Sequence, residues 1–119
     1  MAQQTVRIYH NPRCSKSRET LALLREHGVE PEIIDYLKTP PSAAEVEELL
    51  GKLGGEPHAL LRTKEEPYAR LELSPKSSRA EVAEAIAREP ILLERPVVVV
   101  SRRAAIGRPP ENVLEILPK

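Results

Sequence analysis

Phenylalanine and tryptophan are missing from this chain of 119 residues, and its aromatic side chains are limited to three tyrosines. The core must therefore be built from Leu, Ile, Val and Ala, and the aromatic platforms on which single-stranded nucleic acids stack are missing as well. Cysteine occurs once, at Cys14, so neither an internal disulfide nor a four-thiolate metal site can form. Excess charge of either sign is also lacking, since 18 Lys+Arg face 18 Asp+Glu. A chain balanced in this way is not built to neutralise phosphate backbones, and no nucleic-acid partner is expected. No apolar run approaches the roughly 20 residues that cross a bilayer, which excludes a membrane-spanning protein. Met1-Ala2-Gln3-Gln4-Thr5 lacks the basic start and apolar stretch of a secretion signal, so the cytoplasm is the expected compartment. His27 and His58 have no metal-ligand spacing and read as surface or helix-end residues; no bound metal or cofactor is expected.

What is present is an ordinary globular composition, 40% hydrophobic and 30% charged, in the size range of one domain spanning residues 1–119. Twelve prolines fall between periodic segments, where they punctuate the chain. Val6-Arg7-Ile8-Tyr9 alternates like a strand and stops at His10-Asn11-Pro12. From Ser15 the pattern is helical through Leu21, Leu24 and His27, with Gly28 as C-terminal cap. Glu32 to Tyr36 reads as a second strand, completing a β-α-β unit of the size expected for a parallel pair with a helical crossover.

Residues 40–90 read as a mainly helical insertion. Ser42 with Glu45 and Ser78 with Glu81 are capping boxes, each opening an amphipathic segment. Between them, His58-Ala59-Leu60-Leu61 is a short apolar turn leading to Arg62. Val97-Val98-Val99-Val100 suits a strand buried on both faces. Ser101-Arg102-Arg103 turns it into a hairpin with Ala104-Ala105-Ile106. Pro109-Pro110, followed by Val113, Leu114 and Leu117, predicts a closing helix. The order β-α-β, helical insertion, β-β-α is that of an α/β, thioredoxin-like fold with a mixed four-stranded sheet.

The chemistry concentrates in His10-Asn11-Pro12-Arg13-Cys14-Ser15-Lys16-Ser17-Arg18. Cys14 stands where a strand hands over to the first turn of a helix, beside unpaired N–H groups and the positive end of the macrodipole. Both favour a thiolate, and Arg13, Lys16, Arg18 and His10 add basic neighbours. The same helix start can receive an oxyanion. A buried, inert cysteine would not be embedded in so many polar and basic residues. Cys14 and Ser17 have the spacing of a redox C-x-x-C whose second thiol has become a hydroxyl. Such a site can attack, but a second thiol from outside must resolve its adduct.

His10 to Arg18, Leu60-Leu61-Arg62, Glu94 to Val99 and Ile106-Gly107-Arg108-Pro109-Pro110-Glu111 together resemble the glutaredoxin-coupled arsenate reductases of the ArsC family. The likeness runs from about Val6 to Leu117. It departs from the best-studied members in having Ser15-Lys16 after the cysteine in place of Gly-Thr. It also lacks their longer C-terminal tail, and so stands nearer the shorter ArsC-like subgroup. The resemblance implies a thioredoxin-like fold and an arsenate-attacking Cys14. It implies an oxyanion held by Arg62, Arg95 and Arg108, a His10 that helps to depress the cysteine pKa, and a cis peptide at Arg95–Pro96. It further implies glutathione as co-substrate and glutaredoxin as partner.

The residues support the arginines independently. Arsenate is largely dianionic at neutral pH, and an attacking thiolate adds negative charge at the same place. Arginine stays charged and presents a fork of donors matched to tetrahedral oxyanions. Arg62 ends an apolar turn, Arg95 enters a buried strand, and Arg108 follows Gly107 at a hairpin end. The expected function is reduction of arsenate, or a similar oxyanion, with Cys14, His10 and Ser17 as the catalytic group. Two alternatives use the same fold. One is a thiol oxidoreductase acting on glutathionylated proteins or another oxyanion. The other is a regulator like the Spx type, which carries C-x-x-C as a redox switch that Ser17 breaks here. A reductase of the tyrosine-phosphatase type needs C-x₅-R, and Thr20 occupies the arginine position, which excludes it.

Overall fold

In the computed structural model, which describes residues 5–117, four strands form one sheet in the order β2-β1-β3-β4. They are β1 (Val6–His10), β2 (Glu32–Asp35), β3 (Val97–Val100) and β4 (Arg103–Ile106). β1 pairs parallel with β2 and antiparallel with β3, and β3 pairs antiparallel with β4, so the sheet is mixed. The parallel pair follows from the crossover helix α1 (Ser15–Glu26), which returns the chain to the same end of the sheet before β2 begins. α1 is capped at His27, and Gly28 beyond it takes a φ of +76°, a turn open to glycine without steric penalty. The β3–β4 hairpin turns through Ser101 and Arg102.

Side chains alternate across a strand, so Val6 and Ile8 of β1 share a face with Val98 and Val100 of β3. With Leu24 of α1, Val113 and Ile116 they form a buried cluster. Val97 and Val99 are buried as well, which is why four consecutive valines suit β3: neither of its faces meets water.

The closing segment corrects the sequence expectation. Pro110–Ile116 winds as a 3₁₀-helix, not an α-helix. Its buried residues are Pro110, Val113 and Ile116, not the expected set of Val113, Leu114 and Leu117. A spacing of three eclipses side chains on a 3₁₀-helix, which puts the three on one face, and Val113 and Ile116 join the cluster on the sheet. The strands, α1 and this segment belong to one compact unit, which runs up to Tyr36 and resumes at Arg95.

Residues Leu37–Glu94 form a second unit, slightly longer than the insertion expected over 40–90. It contains α2 (Ala43–Leu53), α3 (Glu66–Arg70) and α4 (Arg79–Arg88), with 3₁₀ turns at Pro57–Leu60 and Pro90–Leu92. Both capping boxes are made. Glu45 N–H donates to Ser42 Oγ at 3.1 Å and Glu81 N–H to Ser78 Oγ at 3.1 Å, while each carboxylate accepts from the cap's own N–H. α2 and α4 pack together through buried Val46, Leu49 and Leu50 against Val82, Ala83 and Ile86. The sequence did not point to α3, whose five residues carry Pro67 in the first turn and are too short to display a period.

Candidate active site

β1 ends at His10, and the loop that follows is tied down by its own polar groups. Asn11 Oδ1 accepts from the N–H of Arg13 at 2.9 Å, and Asn11 C=O accepts from the N–H of Cys14 at 2.9 Å. Ser17, fully buried, reaches back so that its hydroxyl accepts from the N–H of Asn11 at 3.3 Å. Arg18 donates through Nη1 to the carbonyl of Pro12 at 2.9 Å. Asparagine and serine are suited to such local ties because their short side chains bond neighbouring backbone. The outcome places Cys14 as the N-terminal cap of α1, in extended backbone at φ −95° and ψ 123°.

The Cys14 thiol is buried, and burial alone pushes its pKa up. The backbone N–H of Ser17, the Arg95 guanidinium and the backbone N–H of Lys16 outweigh that, and the thiol lies below its ordinary value. The sulfur makes no regular capping hydrogen bond; these groups act by facing it. Arg108 adds a direct contact, with Nη2 donating to Cys14 Sγ at 3.5 Å. Its Nε donates to the carbonyl of Arg95 at 2.8 Å, so the two arginines are linked. Burial draws Arg95 down, but Tyr36 and the Cys14 sulfur more than reverse this, and Arg95 holds its proton more tightly than usual. The Arg95–Pro96 peptide is cis, and so is Arg108–Pro109.

His10 is buried at the end of β1. Burial lowers its pKa, Asp35 works against that, and Arg25 and Arg18 lower it further. The groups that lower the Cys14 thiol are the Ser17 N–H, the Arg95 guanidinium and the Lys16 N–H. The His10 Nδ1 is buried without a hydrogen-bond partner.

Arg62 lies in the second unit. Its backbone N–H donates to Leu92 C=O at 2.8 Å. Its guanidinium pairs with Glu65 at 3.2 Å and with Glu94 at 3.3 Å. In the first unit, then, Cys14, Ser17, Arg95 and Arg108 come together at one helix start. Sequence reasoning missed Tyr36, whose signal was a tyrosine placed directly after a strand in a chain with three. It also missed that His58 is an anchored residue: its Nε2 lies 2.7 Å from the Tyr68 hydroxyl, with the two rings edge to face. Among the described residues no group of three or more His, Cys, Asp or Glu side chains could hold a metal ion, and no helix is long and apolar enough to cross a membrane.

Residues 9–116 match the ArsC family. The chain is 54% identical over 114 residues to the uncharacterized protein YfgD of Escherichia coli K12, covering 94% of this chain and 96% of that one. It is 49% identical over 115 residues to an arsenate reductase of Haemophilus influenzae, covering 95% and 99%. Among solved structures, an arsenate reductase from Vibrio cholerae superposes with a TM-score of 0.90 at 49% identity, covering 98% of this chain and all of that one.

Proposed function

The chain belongs to the ArsC family, with its thioredoxin-like fold, and from that premise we propose that it is an arsenate reductase working through the Cys14 thiolate with glutathione and glutaredoxin as thiol donors. The observation that carries this reading is one sulfur, below its ordinary pKa, set at the start of α1 against Arg95 and Arg108. A nucleophile and an anion cradle occupy one place, which is what joining a thiolate to a dianionic oxyanion requires.

The sequence of steps is as follows. Cys14 Sγ attacks arsenic(V), and one arsenate oxygen leaves as water, taking up two protons in total. Arg95 and Arg108 offset the charge that accumulates on the remaining oxygens. Glutathione thiolate then displaces a second oxygen from the adduct, which leaves as water after protonation, giving arsenic bonded to both sulfurs. Glutaredoxin thiolate attacks the glutathione sulfur and forms a mixed disulfide. The arsenic–sulfur electron pair stays on arsenic, which becomes arsenic(III). Water releases arsenite from Cys14, and the thiolate is restored. Ser17 holds Asn11, and through its own N–H favours the Cys14 thiolate, but it supplies no thiol. The reducing cytoplasm is where such donors are kept in their thiol form.

The test is a coupled assay with arsenate, glutathione, glutaredoxin, glutathione reductase and NADPH. Steady NADPH oxidation that needs every component, and that Cys14→Ser abolishes, is the expected result. No oxidation with arsenate, but oxidation with a glutathionylated peptide that needs this protein when glutaredoxin is left out, would move the assignment to protein thiols.

A further inference from the structure

The Arg108 guanidinium touches the reactive sulfur, yet its side chain is exposed and long. An exposed arginine samples many rotamers unless something holds it. The Nε bond to the Arg95 carbonyl orients the guanidinium, and the backbone that carries it is placed at the preceding residue. Gly107 is buried, its N–H donates to the carbonyl of Pro96 at 2.9 Å, and its backbone lies hard against α1. A Cβ built on Gly107 would stand 2.6 Å from Thr20 Oγ1, 2.8 Å from Pro96 Cγ and 3.2 Å from Thr20 Cγ2. Real Cβ atoms do not approach that closely. The backbone at Gly107 is not in the left-handed region, so the requirement there is for space and not for conformational freedom.

Thr20 is the other half of this contact. It is fully buried on α1, and its hydroxyl donates to the carbonyl of Lys16 at 2.8 Å. Lys16 belongs to the helix turn whose N–H groups face Cys14. The helix that carries the sulfur and the strand end that carries Arg108 are thus held at one separation by Thr20 against Gly107. Pro96, adjacent to Arg95, closes the same contact from a third side. Each of the groups that meet at the sulfur is one or a few residues from this point.

We infer that Gly107 and Thr20 are positioning residues: the contact of the Thr20 side chain with the bare Gly107 backbone sets the distance from the Arg108 guanidinium to the Cys14 sulfur. The inference rests on the site proposed above and deepens it, since it names what makes the anion cradle a fixed one. Neither residue need touch substrate. Adding one methyl at Gly107 pushes the β4 end away from α1, and Arg108 leaves the sulfur while Cys14 itself stays on its helix.

The test reads the positive field at the sulfur without relying on arsenate. Iodoacetate and iodoacetamide alkylate the same thiolate, but only the first is an anion, so the ratio of their rates reports the cations nearby. Gly107→Ala should lower that ratio by about tenfold, the size expected for loss of a charge-assisted contact. Arg108→Ala should lower it similarly, and Gly107→Ala added to Arg108→Ala should lower it no further, because the first acts through the second. Thr20→Ala combined with Gly107→Ala removes two of the three close contacts and should recover most of the loss. A Gly107→Ala protein with the wild-type ratio overturns the inference, and so does full additivity with Arg108→Ala. If Gly107→Ala alone does not fold, the double variant is compared with Thr20→Ala: a ratio near that of Thr20→Ala supports the contact, and a ratio as low as that of Arg108→Ala refutes it. Wild-type protein that shows these ratios but never reduces arsenate would remove the proposed substrate while leaving the positioning intact.

Discussion

At the scale of single residues, Cys14 sits under opposed influences. Burial disfavours its charge, and the Ser17 N–H, the Arg95 guanidinium and the Lys16 N–H favour it more. Its rate of alkylation by a neutral reagent should therefore follow a midpoint below the ordinary cysteine value of about 8.5. Arg95→Gln should raise that midpoint. His10→Gln should leave it nearly in place, because burial disfavours the charged form of the ring and the groups that shift the thiol are Ser17, Arg95 and Lys16. A midpoint that climbs as far in His10→Gln as in Arg95→Gln would show that a histidine charge had been overlooked. His10 has a consequence of its own for stability. Its pKa is lowered in the folded protein, so the unfolded chain binds that proton more readily. Stability is intact above the ordinary histidine value near 6.5 and falls as pH drops from there toward the lowered folded value. Denaturant unfolding of His10→Gln should lose less stability than wild type across that window. Parallel curves would contradict the lowered pKa.

Elements built by local rules were legible from residues alone. The strand-to-helix handover at Cys14, the capping boxes at Ser42 and Ser78, and the run of four valines each carry their cause in adjacent positions. The closing segment was misread because Val113 fits a spacing of three as well as an α-helical one, and only the sheet beneath it selects between them. That reading makes a prediction. Ile116→Ala should destabilise by about 2–4 kcal/mol, the range for emptying a buried aliphatic site, and Leu114→Ala by clearly less. Equal losses in urea unfolding would restore the α-helical face. The candidate site was legible in part: Cys14, Arg95 and Arg108 could be named from their motifs. The lowered pKa of His10 and the part played by Tyr36 could not be, since both depend on burial and on neighbours distant in sequence. The close approach at Gly107 is of the same kind, because Thr20 and Pro96 meet it only in the folded sheet and helix.

For the whole molecule, the deciding number is one cysteine in 119 residues. Reduction of arsenate to arsenite takes two electrons, and a single thiol cannot supply them by closing a disulfide within the chain. Ser17 fills the place where a resolving thiol would stand, and it is buried there as part of the loop that shapes the site. The reductant must come from outside, and the proposed donor, glutathione, is a small anionic thiol that the arginines beside the sulfur would attract. Ser17→Cys supplies a second sulfur one helical turn away and should permit some thioredoxin-driven turnover that the wild type lacks. The measurement that tests the central claim most directly is steady-state arsenite production by the wild-type protein under two regimes. One supplies glutathione with glutaredoxin, the other thioredoxin, its reductase and NADPH alone. A single external-thiol mechanism gives sustained arsenite in the first and none in the second. Sustained production with thioredoxin alone would contradict it.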